Sequence, residues 1–259
     1  MADKPNFVLV PDDDTETASP RALTVIGRLR AVATAWLSTG LTTLVRPDQR
    51  LSSTNAAPGR PRLIFGFDAT ASREPAWAMA RQVTDALVRA LPGELDVALA
   101  VHGGSRLHTF TPFTANPNTL RDRAASISCI PGRTQLLSIL SRSFAAPGVR
   151  VVIYIGDVYE ESPGRGRQIA DAMGRAGIKL IVLHDVADWT ARRDAELFLD
   201  LARRTGGCVL PFDANAPIRL RELLAAVAVY AVGGEALLEE KRDQLPGAAI
   251  LLQYLGRGE

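Results

Sequence analysis

The chain has 259 residues, 47% of them hydrophobic and 22% charged, which is the make-up of a globular protein and excludes a disordered or collagen-like one. Its formal net charge is only +2, with no long basic run and no aromatic–basic interleaving, so nucleic acid is excluded as the expected partner. No run of about 18 apolar residues occurs, so no transmembrane helix is predicted.

The chain begins Met1-Ala2-Asp3-Lys4-Pro5, without a charged segment ahead of an apolar core, and a cytoplasmic protein is expected. Residues 1–18 read as a flexible N-terminus, with one short apolar island, Phe7–Val10, ahead of Asp12, Asp13 and Asp14. Ser19 and Pro20 then supply a cap and a first helical position. Ile26, Leu29, Ala33, Trp36, Leu37, Leu41 and Leu44 follow at helical spacing, which predicts an amphipathic helix over 19–46. Its apolar stripe offers a surface for packing on its own domain, for self-association through 20–46, or for docking on another protein. Residues 47–61, rich in Ser, Asn, Ala, Pro and Gly, read as a linker.

From Arg62 the pattern alternates. Strands are predicted over Leu63–Phe67, Leu95–Val101, Arg106–Phe113, Val149–Ile155, Ile178–Leu183 and Val209–Phe212. Helices are predicted from Trp77 to Leu91 and over Asn116–Ile127, Thr134–Ala145, Gly164–Ala176, Arg192–Arg204 and Ile218–Val232. The turn at Gly103-Gly104 makes the third strand antiparallel to the second, a short edge strand. Strands alternating with crossover helices give an α/β fold: a doubly wound, mostly parallel six-stranded, Rossmann-like sheet with helices on both faces. This main domain spans 62–232, and 233–259 reads as a C-terminal helical extension broken at Pro246-Gly247. The two cysteines, Cys129 and Cys208, read as reduced, mostly buried thiols.

The chemistry concentrates where the first strand ends. Asp68, Thr70 and Ser72 place a carboxylate and two hydroxyls between a buried strand and a helix, the crevice in which open α/β sheets bind ligands. Hard oxygen donors suit a small hard cation such as Mg²⁺. Catalysis has less behind it. A doubly wound phosphatase with Asp68 as nucleophile needs a second acid two residues on, where Thr70 stands. His102, His108 and His184 are scattered, no Ser-His-Asp or Cys-His pairing occurs, and Gly164-Arg165-Gly166 lacks the strand context of a dinucleotide site.

Four further segments complete a pattern: Thr109–Thr114, Pro131-Gly132-Arg133-Thr134, Ile155-Gly156-Asp157 and Leu201–Gly207. With Asp68-x-Thr70-x-Ser72 they resemble, in order and spacing, the von Willebrand factor type A (VWA) domain, over roughly 62–232. The resemblance implies a metal-ion-dependent adhesion site (MIDAS). Asp68, Thr70 and Ser72 would form its first loop, Thr134 its second and Asp157 its third, around Mg²⁺ (or Mn²⁺ or Ca²⁺). It implies a non-enzymatic binding module, an adaptor or assembly factor, whose protein partner presents a carboxylate to the ion. Partners of this kind include AAA+ ATPases and chelatase-like assemblies.

The chain departs from the family pattern at several places. Thr70 stands where serine is usual, Arg133 and Val158 where glycine is common, and Arg73 follows Ser72 directly. Arg73 and Arg133 are therefore expected either to repel a cation or to clasp the partner's carboxylate. Glu160 and Glu161 are expected to lie in a solvated loop, to contact the partner alongside Arg73 and Arg133, or for one of them to reach the ion from within and hold the site closed. The alternatives to an adaptor are a metal-dependent hydrolase or phosphatase, and a self-associating scaffold with a vestigial metal site.

Overall fold

The computed structural model describes residues 59–70, 73–90, 93–185, 189–212 and 216–256. The chain divides into two units, Met1–Ala56 and Ala57–Glu259, and every described residue belongs to the second. The predicted 19–46 helix, nearly all of the linker, and Ser72 lie outside the described residues.

Six strands form one sheet: β1 (Arg62–Asp68), β2 (Asp96–Gly103), β3 (Arg106–Phe110), β4 (Val149–Gly156), β5 (Lys179–Asp185) and β6 (Cys208–Phe212). Their order is β3-β2-β1-β4-β5-β6. Every pairing is parallel except β2 with β3, as the turn at Gly103-Gly104 predicts. The third strand stops at Phe110, short of the expected Phe113. Thr111 turns its hydroxyl to the Leu99 amide, and an isolated antiparallel bridge of Thr114 with Val97 follows.

Alternation along β1 sorts the core into two layers. Leu63, Phe65 and Phe67 face one side, where they meet Trp77, Ala80 and Val83 of α1 (Glu74–Val83), Leu87 of α2 (Ala86–Arg89) and Leu120 of α3 (Pro117–Ala125). Ile64 faces the other side, in a layer with Leu136, Ile139 and Leu140 of α4 (Leu136–Ala145). Met173 of α5 (Pro163–Arg175) and Phe198 and Leu201 of α6 (Trp189–Arg204) complete that layer. Strands buried on both faces read as continuous apolar runs, and Val151–Ile155 of β4 has no residue more than 1% exposed.

Two elements differ from the sequence reading. The segment expected as one helix to Leu91 breaks after Val83, where the Thr84 hydroxyl donates to the Ala80 carbonyl at 2.6 Å. Back-bonding of this kind competes with the helical ladder. The other difference is where the last long helix ends. Helix α7 (Pro217–Glu240) continues past residue 232 and bends at Gly234, whose φ of 67° is open to glycine at little cost. The bend returns α8 (Pro246–Leu255) to the sheet, and Leu238, Ala248 and Leu251 are fully buried in the same layer as Phe65 and Trp77. No helix among the described residues is long and apolar enough to cross a membrane.

Candidate metal centre

The sheet order reverses between β1 and β4: the chain runs outward from β1 to β3, then returns to β4 on the other side of β1. Ligands of open α/β sheets settle at this switch point, beyond the carboxyl ends of the two strands. Asp68 ends β1, and Asp157 directly follows β4. Both acids therefore stand at the switch point.

Asp68 is fully buried. Its Oδ1 accepts the Thr70 amide at 2.9 Å, an Asx turn that tightens the loop. Its Oδ2 is buried and has no hydrogen-bond partner. Burial pushes the Asp68 carboxyl above the usual range, against the pull of the Thr70 hydrogen bonds and the Arg73 charge. Asp157 is also raised, by burial first, with Arg73 pulling it down and Asp68 pushing it up. The two carboxylates thus feel each other across the rim.

Thr134 is brought to this rim by the loop that precedes it. The Ile130 amide donates to the Ala69 carbonyl at 2.8 Å, and the Gly104 amide donates to the Ile130 carbonyl at 3.2 Å. Gly132 sits so close to the turn between β2 and β3 that a β-carbon there would collide with the Ser105 amide. Thr134 is 4% exposed. Its hydroxyl accepts the Glu160 amide at 3.1 Å, and its own amide donates to the Glu160 carboxylate at 2.9 Å. Glu161 accepts the Leu137 amide at 2.8 Å. Helix α4 starts at Leu136 rather than at Thr134, and its free amides are taken by an acid from a distant loop. Exposed Glu160 and half-buried Glu161 thereby fasten the third loop to the second.

The two arginines also part company. Arg133 is exposed, its amide donating to the Ser105 hydroxyl at 2.9 Å. Arg73, 5% exposed, turns inward, with Nη1 3.5 Å from Asp157 Oδ2. Its guanidinium is withdrawn from solvent and faces a carboxylate of the rim.

Beneath these loops lies a buried polar layer. His102 ends up beside Asp68 in the register of β1 with β2, its Nδ1 3.6 Å from Asp68 Oδ1. Its Nε2 meets the Tyr154 hydroxyl at 2.8 Å. Burial lowers the imidazole to about 4, so His102 is neutral near pH 7 and its approach to Asp68 is not an ion pair. His184 Nε2 donates to the Asp157 carbonyl at 3.1 Å, and Asp194 of α6 accepts the Tyr159 amide at 2.9 Å. Sequence reading passed over Tyr154 and Asp194. The one available signal was a tyrosine hydroxyl inside the driest strand of the sheet.

The donor set suits a divalent cation. A buried carboxylate oxygen with no partner, a second carboxylate and a buried threonine hydroxyl share one rim, and Mg²⁺ takes such oxygens while keeping waters. Among the described residues no group of three or more His, Cys, Asp or Glu side chains is placed to hold a metal, so an ion here would depend on two carboxylates and on hydroxyls. Cys129 and Cys208 are free thiols.

Solved structures share the fold. A von Willebrand factor type A protein from Catenulispora acidiphila superposes with a TM-score of 0.56 at 14% identity, covering 68% of this chain and 43% of that one. Proximal thread matrix protein 1 from the mussel byssus gives 0.53 at 13% identity, over 66% of this chain and 46% of the other. The VWA domain of SpRpn10 gives 0.50 at 10% identity, over 62% of this chain and 95% of that domain. The match thus spans less than half of the first two proteins and nearly all of the third. The chain has a VWA-like fold. No family model matches the sequence, and no curated protein matches it.

Proposed function

We propose that this chain is a non-enzymatic protein-binding module that recognises an acidic side chain of its partner through a divalent cation, Mg²⁺ in the first instance. Asp68, Thr70, Ser72, Thr134 and Asp157 hold the ion. What carries the reading is one observation: Asp68 ends β1 and Asp157 follows β4 at the switch point of the sheet, and Asp68 Oδ2 is buried there without a hydrogen-bond partner. With two carboxylates and neutral hydroxyls as donors, Mg²⁺ keeps water at its remaining positions, and a carboxylate of the partner can replace one of those waters.

Each residue has a separate task. Asp68 and Asp157 supply the charge. Thr134 supplies a neutral donor whose place is set by the reciprocal bonds with Glu160. The Thr70 amide holds Asp68 Oδ1 and leaves Oδ2 as the oxygen without a hydrogen-bond partner. A hydrolase reading finds no support at this rim, since Thr70 occupies the position of the second acid and His102 is a buried neutral base bonded to Tyr154. The scaffold reading depends on 20–46, outside the described residues.

Calorimetric titration of Mg²⁺ or Mn²⁺ into the chain and into Asp68→Ala tests the proposal. Saturable heats in the first and none in the second, with both proteins folded, are expected. Identical heats would end it. Capture of a partner protein that is abolished by EDTA tests the second half.

A further inference from the structure

We infer that Arg73 is a tethered cation that competes with a divalent ion for Asp68 and Asp157, so that the chain latches its own site until metal displaces the guanidinium. The inference rests on the metal-binding reading above and adds its regulation.

Arg73 sits where local rules disfavour it. It is the N-cap residue of α1, its side chain caps nothing, and its amide donates to the Thr70 carbonyl at 2.9 Å. Helix N-termini carry a partial positive charge and favour acids, not arginine. Burial compounds the penalty, because a guanidinium withdrawn from water needs acceptors around it. Yet the side chain is only 6% exposed.

The compensation does not come from its neighbour in sequence. Glu74 accepts from Arg81 Nη2 at 3.1 Å and points along the helix. It comes from the rim. Nη1 lies 3.5 Å from Asp157 Oδ2, and the charge of Arg73 acts on both Asp157 and Asp68. Those are the two carboxylates that a divalent ion needs. Both cannot serve fully at once: a divalent ion and a guanidinium between the same two acids repel each other in a poorly solvated setting. Arg73 Nη1 stands 3.5 Å from Asp157 Oδ2, beyond direct hydrogen-bond range, and Asp68 Oδ2 has no hydrogen-bond partner, so one guanidinium leaves the pair of acids incompletely satisfied. A stronger cation therefore has something to gain by replacing it. Arg73 begins a helix and ends a loop, so its side chain can pivot outward without unfolding either strand.

The test uses the full chain, Arg73→Met and Arg73→Lys, with Mn²⁺ as the probe. Methionine keeps much of the apolar stem and removes the charge. A latch closed in nine molecules of ten lowers apparent affinity about tenfold, so Arg73→Met is expected to bind Mn²⁺ at least about tenfold more tightly than wild type. Arg73→Lys, a shorter point charge without the planar fork, is expected to fall between them. Metal-free melting supplies a second readout. Arg73→Met is expected to melt lower than wild type in EDTA and to regain more than wild type in saturating Mn²⁺. Should Arg73→Met lose its fold, Arg73→Lys still reports the direction of the change in affinity. Equal affinity in all three proteins would overturn the latch and leave the metal site standing. Failure of wild type and both variants to bind Mn²⁺ would remove the metal reading itself, and the latch with it.

Discussion

Replacing His102 with glutamine should flatten the response of stability to acid. The imidazole is fully buried, with Nε2 2.8 Å from the Tyr154 hydroxyl and Nδ1 facing Asp68 without a hydrogen-bond partner. Burial lowers its folded value from 6.5 to about 4, while Asp157 and Glu160 pull weakly upward. Between those two values the unfolded chain carries a proton that the folded chain lacks. Stability from this group is therefore complete above pH 6.5 and is lost as pH falls toward 4. A gap of roughly two and a half units corresponds to about 3 kcal/mol. Asp68, Asp157 and Glu161 have raised values and act in the opposite sense, gaining stability as acid protonates them in the folded state first. Comparing wild type with His102→Gln cancels most of that contribution, since the amide can keep the bond to Tyr154. Urea unfolding in EDTA at pH 7, 6, 5 and 4.3 gives the two curves. They should diverge by about 3 kcal/mol from the most alkaline point to the most acid. Parallel curves would refute the assignment of a buried, neutral imidazole beneath the rim.

Trp77→Ala removes the largest fully buried side chain, one that lies 4.4 Å from the Phe67 ring and donates from Nε1 to the Ile127 carbonyl at 3.2 Å. A cost of about 3–5 kcal/mol in urea unfolding is expected. A loss under 1 kcal/mol would show that the α1 layer repacks. Gly132→Ala drives a β-carbon into the Ser105 amide, so a loss of about 1–3 kcal/mol is expected. Because that contact seats the Thr134 loop, Mg²⁺ titration of the same variant should show weaker binding; unchanged affinity would detach Thr134 from the site.

Much of the architecture was legible along the chain because its signals are local. Leu63–Phe67 and Val149–Ile155 are apolar on both faces and can only be interior strands. Gly103-Gly104 announced a reversal, and β2 and β3 are indeed antiparallel. Asp68 could be named because it closes an apolar run ahead of a helix, whereas Thr134 and Asp157 were singled out by the resemblance of their segments to the VWA pattern. The helix break at Thr84 was less legible, since a threonine hydroxyl bonds back to a carbonyl in some helices and not in others.

What only tertiary structure decided is where the charges go. Arg73 beside Ser72 read as a charge that either repels a cation or clasps an outside carboxylate, and Glu160 with Glu161 as a solvated pair or a ligand from within. Distant partners chose among these. The Arg73 guanidinium turns inward to half-buried Asp157, and the two glutamates bind amides at and just ahead of a helix start. Such choices depend on groups 24 to 84 residues away, as Leu137 from Glu161 and Arg73 from Asp157. Periodicity reports how a residue meets its own strand or helix; an ion pair or a borrowed cap is settled by whichever distant loop the closed sheet sets beside it.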